Sequence, residues 1–100
     1  MKMPQIVPTF EAASSLKEQV LKIGEEQNEV FSAYENYVIS MRDGELIRIV
    51  DECCDVIQAT CNLVAMLGVD DLTAAMGACM RRNRARGRFE AMSCGEEQQG

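Results

Sequence analysis

One hundred residues make one small domain, and with 47% hydrophobic residues, no tryptophan and five aromatics the core has to be aliphatic side chains, methionine and alanine. Sixteen acidic against ten basic residues give a formal charge of −6, which speaks against a general polyanion binder and leaves no nucleic-acid partner expected. No run approaches the ~18 apolar residues needed to cross a bilayer and no signal-peptide core is visible, so the expectation is a cytoplasmic protein without a membrane partner.

Residues 1–8, with Pro4 and Pro8, read as an irregular lead-in. Thr9 is the expected N-cap of a first helix, with Glu11 in its first turn. From there a stripe runs Ala13, Leu16, Val20, Ile23, Gln27, Val30, Tyr34, Tyr37, Met41, with steps of three and four, so this is a long amphipathic helix. Gly24 interrupts it and marks an expected bend or close approach. Asp43-Gly44 is the expected turn, and a second helix runs from about Glu45 to Leu67, ended by Gly68. Its apolar positions fall on two adjacent faces, one with Leu46, Val50, Cys53, Ile57 and Val64, the other with Ile49, Val56 and Leu63.

Asp70 or Asp71 caps a third helix, expected from Leu72 to about Arg86 and terminated by Gly87. Five arginines, Arg81, Arg82, Arg84, Arg86 and Arg88, gather at its end, whereas residues 1–80 hold thirteen acidic and five basic residues. The five cysteines are odd in number and show no C-x-x-C spacing, so they read as small buried residues of a reducing compartment. The predicted organisation is an all-α antiparallel helical bundle over residues 9–90, completed by oligomerisation because the second helix is apolar on two sides, followed by a polar tail over 91–100.

Two acidic clusters stand out. Glu25-Glu26-Gln27-Asn28-Glu29 and Glu52-Cys53-Cys54-Asp55 each place two carboxylates three residues apart on one helix face. Glu52 also lies between Ile49 and Val56, on the edge of an apolar face, where a carboxylate needs a partner. Two such pairs brought together would repel, and a divalent cation relieves that repulsion. With oxygen donors only and no histidine, the choice falls on Mg²⁺, with Mn²⁺ also compatible.

The order E-E-x-x-E, a gap of about two dozen residues, then E-x-x-D resembles the signature of the MazG-like all-α nucleoside triphosphate pyrophosphohydrolases. Glu25, Glu26, Glu29, Glu52 and Asp55 carry the match. The stretch Asn83-Arg84-Ala85-Arg86-Gly87-Arg88-Phe89 is similar to the basic helix end of small phage-type members. The resemblance implies a Mg²⁺-dependent hydrolase that takes a nucleoside triphosphate to monophosphate and pyrophosphate. It implies Glu26, Glu29, Glu52 and Asp55 as metal ligands, Glu25 as the residue that orients or deprotonates water, and a homodimer or homotetramer. Asn83 and Arg86 would contact the triphosphate, with Lys22 a further candidate. Phe10, Phe31, Tyr34, Tyr37 and Phe89 could each stack on a base, although core positions suit them as well.

Two other classes use the same features. A helical interaction module without catalysis needs the stripes but has no need of Glu52 and Asp55 on an apolar edge. A di-iron carboxylate bundle pairs acids across helices, but with a Glu-x-x-His motif that this chain, without histidine, does not contain.

Overall fold

The computed structural model describes residues 7–88, and among them every regular element is helical. Helix α1 spans Leu16–Ser40, α2 Asp43–Met66 and α3 Thr73–Ala85. The tail over 91–100, Cys94 and Phe89 lie outside the described residues. The chain divides into two compact units, one up to Val69 and one from Asp70 onward.

In the first unit α1 and α2 pack as an antiparallel hairpin. The start of α1 corrects the expectation at Thr9. Ser15 is the N-cap: its hydroxyl accepts from the Glu18 N–H at 3.1 Å, while the Glu18 carboxylate accepts from the N–H and hydroxyl of Ser14 at 3.1 and 2.8 Å. The first of these bonds satisfies a donor that the first helical turn cannot satisfy internally, and the other two tie the residue before the cap to that turn. The turn between the helices also departs from the expected place. Met41 adopts the left-handed conformation, φ 55°, and donates to the Tyr37 carbonyl at 2.7 Å, which ends α1 in two residues; Asp43 and Gly44 already belong to α2. The Asp43 and Glu45 carboxylates then sit in the first turn of α2, where the helix dipole favours them.

The seam between the helices is a stripe of Gln19, Ile23, Glu26, Val30, Ala33 and Tyr37 on α1 against Glu45, Ile49, Glu52, Val56, Ala59 and Leu63 on α2. Ala33 and Ala59, at 0% and 3% exposure, are its closest-packed points. The expected α1 stripe shares Ile23, Val30 and Tyr37 with it, but Val20, Gln27 and Tyr34 are exposed and the adjoining positions face α2 instead. On α2 the Ile49, Val56, Leu63 face is the packed one, and Leu46, Val50, Cys53 and Ile57 are exposed. Gly24 has open space where a Cβ would stand, so no close approach requires it.

Each step along a helix turns 100° about its axis. In an antiparallel pair, residues one position after the seam on either helix therefore share one side of the hairpin, and residues one position before it share the other. The preceding positions hold Glu18, Lys22, Glu25 and Glu29 on α1 and Arg48, Asp51, Asp55 and Asn62 on α2. This is the acidic side. The following positions carry no charge on either helix.

A strap over Val7–Phe10 is tied to α2 near the open end of the hairpin. The Phe10 N–H and the Gln58 amide donate to the Asn62 side-chain oxygen at 3.1 and 3.0 Å, and Gln58 donates to the Pro8 carbonyl at 2.9 Å. Asn62 is thereby 2% exposed.

In the second unit the Asp71 carboxylate accepts from the Thr73 N–H at 2.8 Å and from its hydroxyl, which sets the start of α3. Those two bonds hold the Asp71 carboxyl below its ordinary range. Gly68 and Gly87, both at positive φ, stand at the ends of α2 and α3, as their positions in the sequence imply.

Candidate metal centre

Glu26 occupies the seam itself, and its side chain is only 19% exposed. Opposite it on α2, Glu52 occupies the equivalent seam position and Asp55 the acidic side three residues on. Carboxylate oxygens of Glu26, Glu52 and Asp55 come within 4.8 Å of one another. Cis oxygens bound to one octahedral Mg²⁺ at about 2.0–2.1 Å stand about 2.9 Å apart, so the trio has to draw together to close on an ion. The donor set is all oxygen, on rigid helices, and fits a hard divalent cation.

The electrostatics agree with that geometry. The Glu52 carboxyl is pushed above its ordinary range, first because the seam strips it of water, and then by the charges of Asp55, Glu29 and Glu26; Arg48 pulls the other way. Glu29 therefore lies close enough to act on Glu52 by its charge, yet outside the convergent trio. Glu25 is exposed on the same side, one position from Glu26. Lys22 ion-pairs with Glu26 at 3.5 Å along α1, which partly offsets the local negative charge.

Asn83 and Arg86 belong to the second unit. There Asn83 accepts from the Arg88 guanidinium at 2.8 Å and its amide points at the Cys79 sulfur at 3.7 Å, while Arg86 is an exposed residue at the end of α3. Of the aromatics, Phe31 and Tyr34 are exposed on the uncharged side with ring centroids 6.3 Å apart, and Tyr37 is half-buried in the seam. Phe10 is exposed beside a groove of about 420 Å³ that includes Thr9, Glu11, Asn62, Ala65 and Met66. Cys53 and Cys54 are exposed, against the expectation of buried thiols, because they lie on the faces of α2 turned away from α1.

Two buried polar residues were not singled out from the sequence. Gln19 is fully buried and donates from its amide to the Ala59 carbonyl at 2.9 Å, while its own oxygen has no partner among the described residues. Asn62 ties down the strap. The available signal was the spacing: Gln19 stands four before Ile23 and Asn62 one before Leu63, polar residues at the edge of an apolar stripe.

No protein-family model, curated protein or solved structure matches the chain, so the family likeness rests on the motif residues themselves.

Proposed function

We propose that the chain is a Mg²⁺-dependent nucleoside triphosphate pyrophosphohydrolase, acting as an oligomer on a soluble (deoxy)nucleotide. The observation that carries this reading is the convergence of Glu26, Glu52 and Asp55 across the helix seam, where lost hydration and the neighbouring carboxylates push the Glu52 carboxyl above its ordinary range. Glu26, Glu52 and Asp55 would hold the ion, with Glu29 beside them. When bound, the ion would neutralise phosphate oxygens and acidify water. Glu25, on the same side and outside the trio, would orient or deprotonate the attacking water. Lys22 is free to exchange Glu26 for a phosphate oxygen once the carboxylate is engaged. The groove beside Phe10 and Asn62 lies two turns along α2 from Asp55, about 10 Å, and offers a ring face for a base.

The test is incubation of the full chain with a panel of nucleoside triphosphates, with and without Mg²⁺, measuring monophosphate and pyrophosphate together. The expected result is Mg²⁺-dependent release of both, abolished in Glu52→Gln, together with loss of the rise in melting temperature that Mg²⁺ gives the wild type. Hydrolysis by Glu52→Gln at the wild-type rate, or no release from any triphosphate, overturns the reading.

A further inference from the structure

The acidic side of the hairpin carries two cations, and they are engaged differently. Lys22 is held by Glu26 at 3.5 Å. Arg48 stands on α2 one turn before Glu52, with Asp51 and Glu52 three and four residues on, yet it is exposed and makes no ion pair with a described residue. An arginine that precedes its acid by four residues is the weaker orientation for such a pair. Its charge nonetheless reaches Glu52, whose carboxyl it pulls down against Asp55, Glu29 and Glu26. The guanidinium thus stands beside the convergent carboxylates without being engaged by any of them.

Along α2 the acidic side has a fixed order. Arg48 is nearest the turn, Glu52 and Asp55 follow, and Gln58 and Asn62 hold the strap and its groove at the open end. With a rise of about 1.5 Å per residue, the groove lies about 10 Å from Asp55 in one direction and Arg48 about 10 Å in the other. Lys22 precedes Glu26 on α1 and so lies toward the open end as well. A ring face at one end, a guanidinium at the other and the carboxylate trio between them give this side a polarity.

We propose that Arg48 binds the terminal phosphates of the nucleoside triphosphate, so that the substrate lies along the acidic side with its base at the Phe10 groove and its outgoing pyrophosphate at the turn end. This rests on the hydrolase reading and adds to it a residue and a direction. Phosphate oxygens gathered at Glu26, Glu52 and Asp55 through a divalent ion stand one turn from Arg48, whose guanidinium offers paired N–H donors matched to them. Glu25, Glu29 and Asp51 repel the same phosphates, so the unengaged cation decides at which end the most highly charged part of the substrate lies.

The experiment compares the full chain with Arg48→Gln and with Arg42→Gln, which removes the same charge from the exposed turn. Two quantities are read in Mg²⁺: the dissociation constant of inorganic pyrophosphate by calorimetry, and kcat and KM for a triphosphate that the wild type hydrolyses. Arg48→Gln is expected to weaken pyrophosphate and to raise KM about tenfold or more, the effect of losing a hydrogen bond to a charged group, while Arg42→Gln stays within about twofold, as surface substitutions do. Arg48→Gln should melt with the wild type in the absence of metal, and Mg²⁺ should raise its melting temperature no less, since Arg48 is not a ligand of the ion. A wild type that releases pyrophosphate while Arg48→Gln keeps the wild-type constants overturns the role of Arg48 and leaves the hydrolase reading standing. Equal losses in both variants also overturn it, because the effect is then the general field of the chain and not a contact. So does loss of the Mg²⁺ response in Arg48→Gln, which makes the arginine a support of the carboxylates. A wild type that hydrolyses no triphosphate overturns both readings.

Discussion

Gln19 provides a sharp test of how the seam is held together, because two effects at one residue have opposite signs. Its amide donates to the Ala59 carbonyl across the seam at 2.9 Å, and replacing it by methionine removes that bond, a net loss of about 0.5–1.5 kcal/mol. Ala59 lies inside α2, where the helix ladder already engages its carbonyl, so the acceptor is not orphaned. The same substitution removes the fully buried Gln19 oxygen, which has no partner among the described residues, and that relieves about 1–3 kcal/mol. Methionine matches glutamine in length and adapts to its site, so no cavity opens. Gln19→Met should therefore be as stable as the wild type or up to about 2 kcal/mol more stable, whereas Gln19→Ala, which also leaves a void, should fall about 2 kcal/mol or more below the methionine variant. Urea unfolding at fixed protein concentration, with equal m-values, measures both; for a unit of this size each 1 kcal/mol moves the melting temperature by roughly 4–8 °C. A methionine variant destabilised by more than about 1 kcal/mol refutes the reasoning, since it means that the buried oxygen is satisfied in solution.

Further expectations concern the caps, the strap and pH. Ser15→Ala removes the acceptor of the Glu18 N–H and should cost about 1 kcal/mol, read as a lower thermal midpoint with the start of α1 exchanging its amides faster. Asn62→Ala removes the acceptor of the Phe10 N–H and one of the two bonds of the Gln58 amide; a loss of about 1–3 kcal/mol and new protease cleavage around residues 8–12 are expected, and an intact strap under limited proteolysis speaks against Asn62 as its main tether. Glu52 titrates above its ordinary value of 4.5, so the folded state holds its proton more tightly than the unfolded one. Its contribution to stability is then full below that value and falls as pH rises through the raised one. Without metal, Glu52→Gln should gain on the wild type as pH rises through that window; a difference independent of pH overturns the assignment.

Much of this was legible before the fold was seen, and the failures have a common cause. Glu52 between Ile49 and Val56 announced a half-buried carboxylate, and that is where it sits. The expected α1 stripe lies one residue off at Val20, Gln27 and Tyr34 because apolar residues line two sides of that helix, and periodicity reports both without saying which one faces α2. Glu26 and Gln19, polar residues in the packed seam, are invisible to a count of apolar positions. Ser15 and Glu18 carried the S-x-x-E capping signature, a more specific mark than Thr9 with Glu11. Met41 had no turn signature, since its left-handed backbone is set by the closure of two packed helices and not by a residue that prefers it.

Of the two sides that flank the seam only one is charged, which gives the hairpin's field a direction. Five carboxylates against two cations on the acidic positions, and none on the opposite side, set up a potential that points outward from a single surface. Over distances up to the Debye length, about 10 Å at 0.1 M salt, an approaching polyphosphate is turned away and a divalent ion is drawn in. Encounter rates with the two should consequently respond to ionic strength in opposite directions, rising with salt for a free triphosphate and falling for a bare cation.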